Sequence, residues 1–314
     1  MIVLAPEFTK APPEYVTVSL KDYAVIELQG PETDKFLQGQ LSCDLNQLQD
    51  NNWLYAAHCD NKGKMLSTLW VTRFASSVLL ISSQAAIAAS LAQLQKYGVF
   101  SKTEITAGTE FQLFGVFGTA APARVAEWLQ TPLLDGQHTA TQTEHSVVLN
   151  LGAEPDQYLL VTRGHELPTN SPAEYWQALE IERGRATLQE GTVLEFVPQM
   201  LNVQALAGIS FTKGCYIGQE TIARMHYLGK QKRALFRLRG KGSMVAPGAI
   251  IEQQLGENWR RAGTVINAVS RADYPLDMLA VLPSDSEATT VYRVKDDDAS
   301  FLEIYPLPYN LDES

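Results

Sequence analysis

The strongest constraint on this 314-residue chain is a change of pattern near residue 231. Beyond it the sequence breaks into short apolar alternations at 234–239, 261–269, 277–282, 290–294 and 301–304, separated by Gly, Pro, Asp and Ser, with no clear helix. Strands this short bury their apolar faces by closing on themselves or by stacking, which predicts a small antiparallel barrel or sandwich. Before residue 231 both periods occur. Residues 15–20 and 23–28 alternate as strands around Lys21 and Asp22. Gly30-Pro31 breaks the second, and Pro31 opens a short helix through Phe36 and Leu37. Residues 53–58 and 65–72 predict a hairpin about the turn Asp60-Asn-Lys-Gly63, with another strand at 77–82. Ser83 is placed to cap a helix over 84–97. A second unit starts near residue 110, with strands at 111–117, 146–151 and 157–162, a helix around 121–130 and a polar loop over 131–145. Ser171-Pro-Ala-Glu174 reads as a capping box opening a helix to Arg183, where Gly184 can end it. The fold class is α+β in three units: 1–109 plus 171–230, a small α+β unit at 110–170, and the β unit at 231–314.

Hydrophobic residues make up 45% of the chain, enough for a sizeable core. The opening seven residues have no basic region followed by a long apolar run, and no stretch approaches a membrane span, so neither a signal peptide nor a transmembrane segment is expected. Cys43, Cys59 and Cys215 are odd in number and lack CxxC spacing. That argues against a disulfide framework and a self-contained zinc or Fe–S site, and for a reducing cytoplasm. A net charge of −10 disfavours membranes and direct nucleic-acid binding by the whole surface. Residues 213–241 run against that balance, with eight Lys and Arg against Glu220 alone. Such a strip is either a solvated face or a site for an anionic ligand.

The strip begins in Phe211-Thr-Lys-Gly-Cys-Tyr-Ile-Gly-Gln-Glu-Thr-Ile-Ala-Arg224. Cys215 stands between Gly214 and Gly218, two residues after Lys213 and ahead of a helix beginning at Gln219. A lysine and a helix N-terminus both favour thiolate over thiol. Glu220 and Arg224 share a helix face and can pair. The alternative is a tight turn around a small packed cysteine. His58, Cys59 and Asp60 are adjacent, but on a strand Cys59 points away from the other two, so no metal site is expected there. Cys43 is expected to be a packed small residue.

Lys213-Gly-Cys-Tyr-Ile-Gly-Gln-Glu220, followed by Arg224, resembles the signature of the YgfZ family of folate-binding, tRNA-modification-related proteins, relatives of the glycine cleavage T protein. The resemblance covers most of the chain. It includes Phe36-Leu-Gln-Gly-Gln-Leu-Ser-Cys-Asp44, Ala57-His-Cys-Asp-Asn-Lys-Gly-Lys-Met65, Asn202-Val-Gln-Ala-Leu-Ala-Gly-Ile-Ser-Phe211, Glu257-Asn-Trp-Arg-Arg-Ala-Gly-Thr264 and Ile304-Tyr-Pro-Leu-Pro-Tyr309. It implies T-protein-like N-terminal α+β domains and a C-terminal antiparallel β-barrel. It also implies a folate, tetrahydrofolate or a derivative, bound by Trp176, which matches a folate-contacting tryptophan of the family, and by Tyr23, where the family has a second tryptophan. A folate's glutamate tail, or a phosphate, would be the anion for the basic strip. Cys215 would be the functional thiol, tuned by Lys213. The implied role is that of a monomeric accessory protein supporting modification of some tRNAs and maintenance of Fe–S enzymes, its partners, tRNA-modifying ones among them. The alternative is a folate-dependent aminomethyl transferase. T-protein-like enzymes carry an aspartate after the first hairpin turn; here Ser67 and Thr68 take those places, and a hydroxyl cannot replace a carboxylate near neutral pH. Aminomethyl transfer by that route is therefore unsupported.

Overall fold

The computed structural model describes residues 13–152, 154–229, 231–271 and 274–310. The opening seven residues, read above for a leader, and Lys230 of the basic strip lie outside the described residues.

The two strands around Lys21 and Asp22 go to different sheets. β1 (Val16–Ser19) leaves its neighbour β2 (Tyr23–Gln29) and pairs with a strand of the second unit. After the short helix α1 (Thr33–Gln38), the first sheet is completed by β3 (Trp53–Cys59), β4 (Met65–Phe74), β5 (Ser77–Ser83) and β6 (Glu104–Ala107). Its order is β3-β4-β5-β2-β6, antiparallel throughout. Helix α2 (Gln84–Gly98) begins at Ser83, whose hydroxyl accepts from the Ala86 N–H at 3.2 Å. The buried face of α2, with Ile87 and Leu94, packs with Ile26, Leu69, Val71 and Leu80 of the sheet. The second sheet contains β7 (Phe111–Phe117), β8 (Ala140–Gln142), β9 (Ser146–Gly152) and β10 (Gln157–Arg163), in the order β1-β7-β10-β9-β8. Helix α3 (Ala121–Leu129) packs on it through Val125. Strand β8 lies inside the stretch read as a loop. It is three residues long, too short for a two-residue alternation to register.

Helix α4 (Glu174–Glu182) starts without the expected capping box: Ala173 is its N-cap and no side chain caps it. Ser171 instead donates to the Asn170 carboxamide oxygen at 3.1 Å, and that oxygen accepts from the Thr17 N–H at 2.9 Å. The residues before the helix thus dock on β1. Gly184 ends α4 as expected, at φ +64, where a Cβ would lie 2.5 Å from the Tyr309 hydroxyl. Helix α5 (Gln219–Leu228) follows the cysteine motif. The rest is a closed antiparallel barrel of β11 (Arg233–Lys241), β12 (Ile250–Leu255), β13 (Asn258–Arg271), β14 (Tyr274–Pro283), β15 (Tyr292–Val294) and β16 (Phe301–Tyr305), in the order β11-β14-β13-β12-β15-β16. β12 lies where no strand is expected: Glu252, Gln253 and Gln254 interrupt its apolar run, and Glu252 is held in an ion pair with Arg293 at 2.8 Å.

Two asparagines join the barrel to the rest. Asn202 donates to the Leu235 carbonyl at 2.9 Å and accepts from the Leu235 N–H at 3.2 Å. Asn267 on β13 does the same to Thr187, at 2.8 and 2.9 Å. Each carboxamide replaces a strand neighbour for a buried backbone segment. Arg237 on β11 is buried against Asp277 at 2.6 Å and Glu182 of α4 at 3.5 Å. Two of the eight cations of the predicted basic strip are therefore internal: Arg237 and Arg239 are both less than 8% exposed.

Trp176 has no exposed surface. Its indole lies on β7 where Gly115 leaves the strand bare, and a Cβ at Gly115 would sit 2.2 Å from the ring. Trp176→Ala would empty a large core site, and a loss of about 3–5 kcal/mol of stability is expected. Urea unfolding checks this directly; a loss below 1 kcal/mol would show that Trp176 is not core.

Candidate functional site

A cleft of about 700 Å³ opens where the first sheet, α4 and the barrel meet. Tyr23 at the start of β2 forms one wall, and Gln177, Glu180 and Ile181 of α4 another. The barrel closes it with Met244, Pro247 and Asn267. The segment after α4, with Arg185 and Thr187, runs across it. That segment is held at nearly every residue. Thr68 donates to the Ala186 carbonyl at 2.9 Å, Asn267 brackets Thr187, and the Ser83 hydroxyl donates to the Leu188 carbonyl.

At the cleft's base is a buried polar network. Arg185 donates to both Glu180 oxygens, at 3.1 and 2.8 Å, to the Leu151 carbonyl at 3.2 Å, and to the Gln157 carboxamide oxygen. Gln157 in turn donates to Glu180 at 2.7 Å. With this many donors the buried carboxylate is rigidly oriented. Tyr23 is half-buried, with its ring 5.9 Å from that of Trp70 and its hydroxyl 3.5 Å from that of Thr187. Burial, and after it the Glu180 charge, push the Tyr23 phenol above its ordinary range, so it remains a neutral hydroxyl at physiological pH. The Trp176 indole N–H, a buried donor without a well-formed partner, interacts with this hydroxyl from behind. Of the two aromatic residues expected at a ligand, Tyr23 lines the cleft and Trp176 supports it from the core.

The cysteine motif lies elsewhere, strapped over the loops of the first unit. Lys213 donates to the carbonyls of Leu41 and Cys43, at 2.9 and 2.6 Å, and its ammonium lies 5.1 Å from the Tyr216 ring centre. Burial pushes that ammonium down to about 8, with Cys43 and Asp44 acting in the other direction. The Ile217 N–H donates to the Gly39 carbonyl at 3.1 Å, and Thr221 donates to that of Lys62 at 2.9 Å. Gly218, at φ +83, lets the chain touch the β3–β4 turn: a Cβ there would be 2.6 Å from the Asp60 carbonyl. The residues around Cys215 are thus anchored, whereas Gly214 faces open space and Cys215 is exposed. Cys43 and Cys59 are buried, and burial raises both thiols, that of Cys43 to about 12. Lys213, expected to tune the thiol, has its ammonium bonded to two carbonyls and acts as a tether. Glu220 and Arg224 are exposed and form no ion pair with each other among the described residues.

Ser67 and Thr68 are both buried and engaged: Ser67 is 2.8 Å from the Ser90 hydroxyl, and Thr68 is bonded to Ala186. Ser90 also touches His58 Nδ1 at 3.0 Å, while Gln93 donates toward Nε2 at 3.2 Å. His58 is thus a core histidine. Among the described residues no group of three or more His, Cys, Asp or Glu is placed to hold a metal. Composition and spacing offered no signal for Gln157, Thr187 or Asn267, which the topology alone brings to the cleft.

Burial lowers the His58 pKa to about 3, so the fold holds a neutral ring while the unfolded chain takes a proton below about 6.5. Its contribution is fully present above pH 6.5 and is lost as pH falls toward 3. Urea unfolding at pH 7 and pH 5 should show a loss of about 2 kcal/mol that is absent in His58→Gln. Equal pH dependence in both proteins would remove His58 as its source.

The barrel matches the family model described as "YgfZ, beta-barrel domain" over residues 231–297. Over 307 residues the chain is 40% identical to the tRNA-modifying protein YgfZ of Yersinia pseudotuberculosis, covering 94% of this chain and 93% of that one. It is 39% identical, with the same coverage, to the protein of that name from Serratia proteamaculans. The solved glycine cleavage system aminomethyltransferase T from Bartonella henselae superposes with a TM-score of 0.67, covering 96% of this chain and 87% of that one. At 16% identity, that likeness establishes a T-protein-like fold. With relatives of this identity along nearly its whole length, the chain belongs to the YgfZ family.

Proposed function

We propose that this protein is a folate-binding accessory factor in tRNA modification and in the maintenance of Fe–S enzymes. In this reading a reduced folate occupies the central cleft with its pteridine ring against Tyr23. Cys215 is the thiol that meets a partner, an Fe–S enzyme of the tRNA-modifying kind. The tRNA role follows from the relatives, which are named as tRNA-modifying proteins. The folate reading is supported by the T-protein-like fold and by a cleft that joins one aromatic wall to a small set of fixed polar groups, as ligand sites do.

The observation that carries the reading is the state of the three cysteines. Two are buried with raised thiol pKa values, whereas Cys215 is exposed on a turn anchored on either side by Lys213, Ile217 and Thr221. A packing role would bury it. Aminomethyl transfer is not favoured: hydroxyls stand at the places where such an enzyme carries its aspartate, and both are engaged within the core. No helix is long and apolar enough to cross a membrane among the described residues. Three unpaired cysteines suit the reducing cytoplasm in which Fe–S enzymes work.

The two halves of this reading separate experimentally. In Cys215→Ala, tetrahydrofolate affinity and stability should match the parent, while thiolated tRNA bases and Fe–S enzyme activity in a deletion strain should not be restored. In Tyr23→Ala, tetrahydrofolate affinity should fall by about tenfold, as loss of an aromatic contact of roughly 1.5 kcal/mol predicts. Full complementation by Cys215→Ala would reject the thiol's role. Unchanged folate affinity in Tyr23→Ala would reject the cleft.

A further inference from the structure

We propose that a second cavity beside the central cleft is an oligoanion subsite that takes the γ-glutamyl tail of the folate. The proposal rests on the folate reading above. The cavity, of about 420 Å³, is lined by three cations from separate parts of the chain: Lys64 at the end of the β3–β4 turn, Arg233 at the start of β11 and Arg261 on β13. Among the described residues none of them pairs with a carboxylate. Lys64 donates to the Glu195 carbonyl at 2.6 Å and keeps two protons free. Arg233 gives one N–H to the Ala262 carbonyl at 3.1 Å. The Glu195 carboxylate is the one opposing charge on the lining, and Phe196 and Met200 supply apolar surface.

The two cavities adjoin. Glu190 and Pro247 line the central cleft, and the residues directly after them, Gly191 and Gly248, line the cationic one. Both glycines have positive φ, +86 and +90. Their backbones face each other: a Cβ at Gly248 would lie 3.5 Å from the Gly191 carbonyl, and one at Gly191 would lie 3.7 Å from that of Pro247. With no side chains there, only a ridge of backbone separates the two spaces. The central cleft itself is acidic, with Asp22, Glu180 and Glu190 against Arg185, and would repel a polyanion. The other neighbouring cleft, which shares Tyr23 and Gln84, offers only Lys21 against Glu166. A γ-glutamyl chain adds one carboxylate per residue, spaced along methylenes. Three separated cations over an apolar floor suit that pattern better than a single compact anion.

The test compares the binding of tetrahydrofolate carrying one glutamyl residue with that carrying four, in the parent protein and in Arg233→Gln/Arg261→Gln. In the parent the longer tail should bind about tenfold tighter at low salt, an advantage that shrinks as ionic strength rises. The double variant should bind both forms alike. Equal binding of both forms by the parent, or a full tail advantage in the variant, would overturn the subsite while leaving the folate reading standing. Failure of the monoglutamate itself to bind would overturn both.

Discussion

Glu180 sets the terms on which this protein comes together. A carboxylate that is 4% exposed must be matched by buried donors, and here they come from two segments: Arg185 in the stretch following its own helix, and Gln157 on β10 of the second sheet. Arg185 completes the match only if the chain turns sharply after α4, which Gly184 at φ +64 permits. Once turned, the chain crosses the space between the units and is fastened to Thr68, Ser83 and Asn267. Loss of Arg185 would leave a buried charge without its partner, a penalty of several kcal/mol. The central cleft is the space this crossing segment leaves open.

The cysteine motif follows a different logic. Its residues read in sequence as an activated thiol with helpers. In the fold the helpers serve as anchors: Lys213 holds the loop at 41–43, Gly218 admits the turn at 60–63, and Thr221 bonds to that turn. Anchoring has its own chemical value. A thiol presented from a fixed turn loses little conformational entropy on meeting a partner, as preorganised sites do. The cleft and the thiol are thereby built on separate contacts, which allows one to be altered without the other.

The long-range contacts explain what the sequence could and could not disclose. Strands and helices with a clear period, such as β4, β5, α2 and the main barrel strands, were legible because burial imposes alternation. The motif around Cys215 was legible as a resemblance, and Tyr23 and Trp176 were visible through it. The assignment of β1 to the second sheet was not legible, because a turn at Lys21-Asp22 looks the same whichever sheet receives the strand. The capping box failed because Asn170, one residue earlier, engages Ser171 and ties it to Thr17. The basic strip divides: Arg237 and Arg239 point inward, toward Asp277, Glu182 and the Tyr305 ring, whereas Arg224, Lys232, Arg233 and Lys241 are exposed. Linear charge density cannot reveal which side of a strand faces the core.

Placement of a folate in the central cleft is the point on which the functional reading turns, and a crystal structure of the protein with tetrahydrofolate tests it most directly. The pteridine ring is expected in contact with Tyr23, within reach of the side chains fixed by α4, with Trp176 unmoved against Gly115 and Cys215 free of ligand. A ring bound away from Tyr23, or a folate held at the Cys215 turn, would contradict that placement.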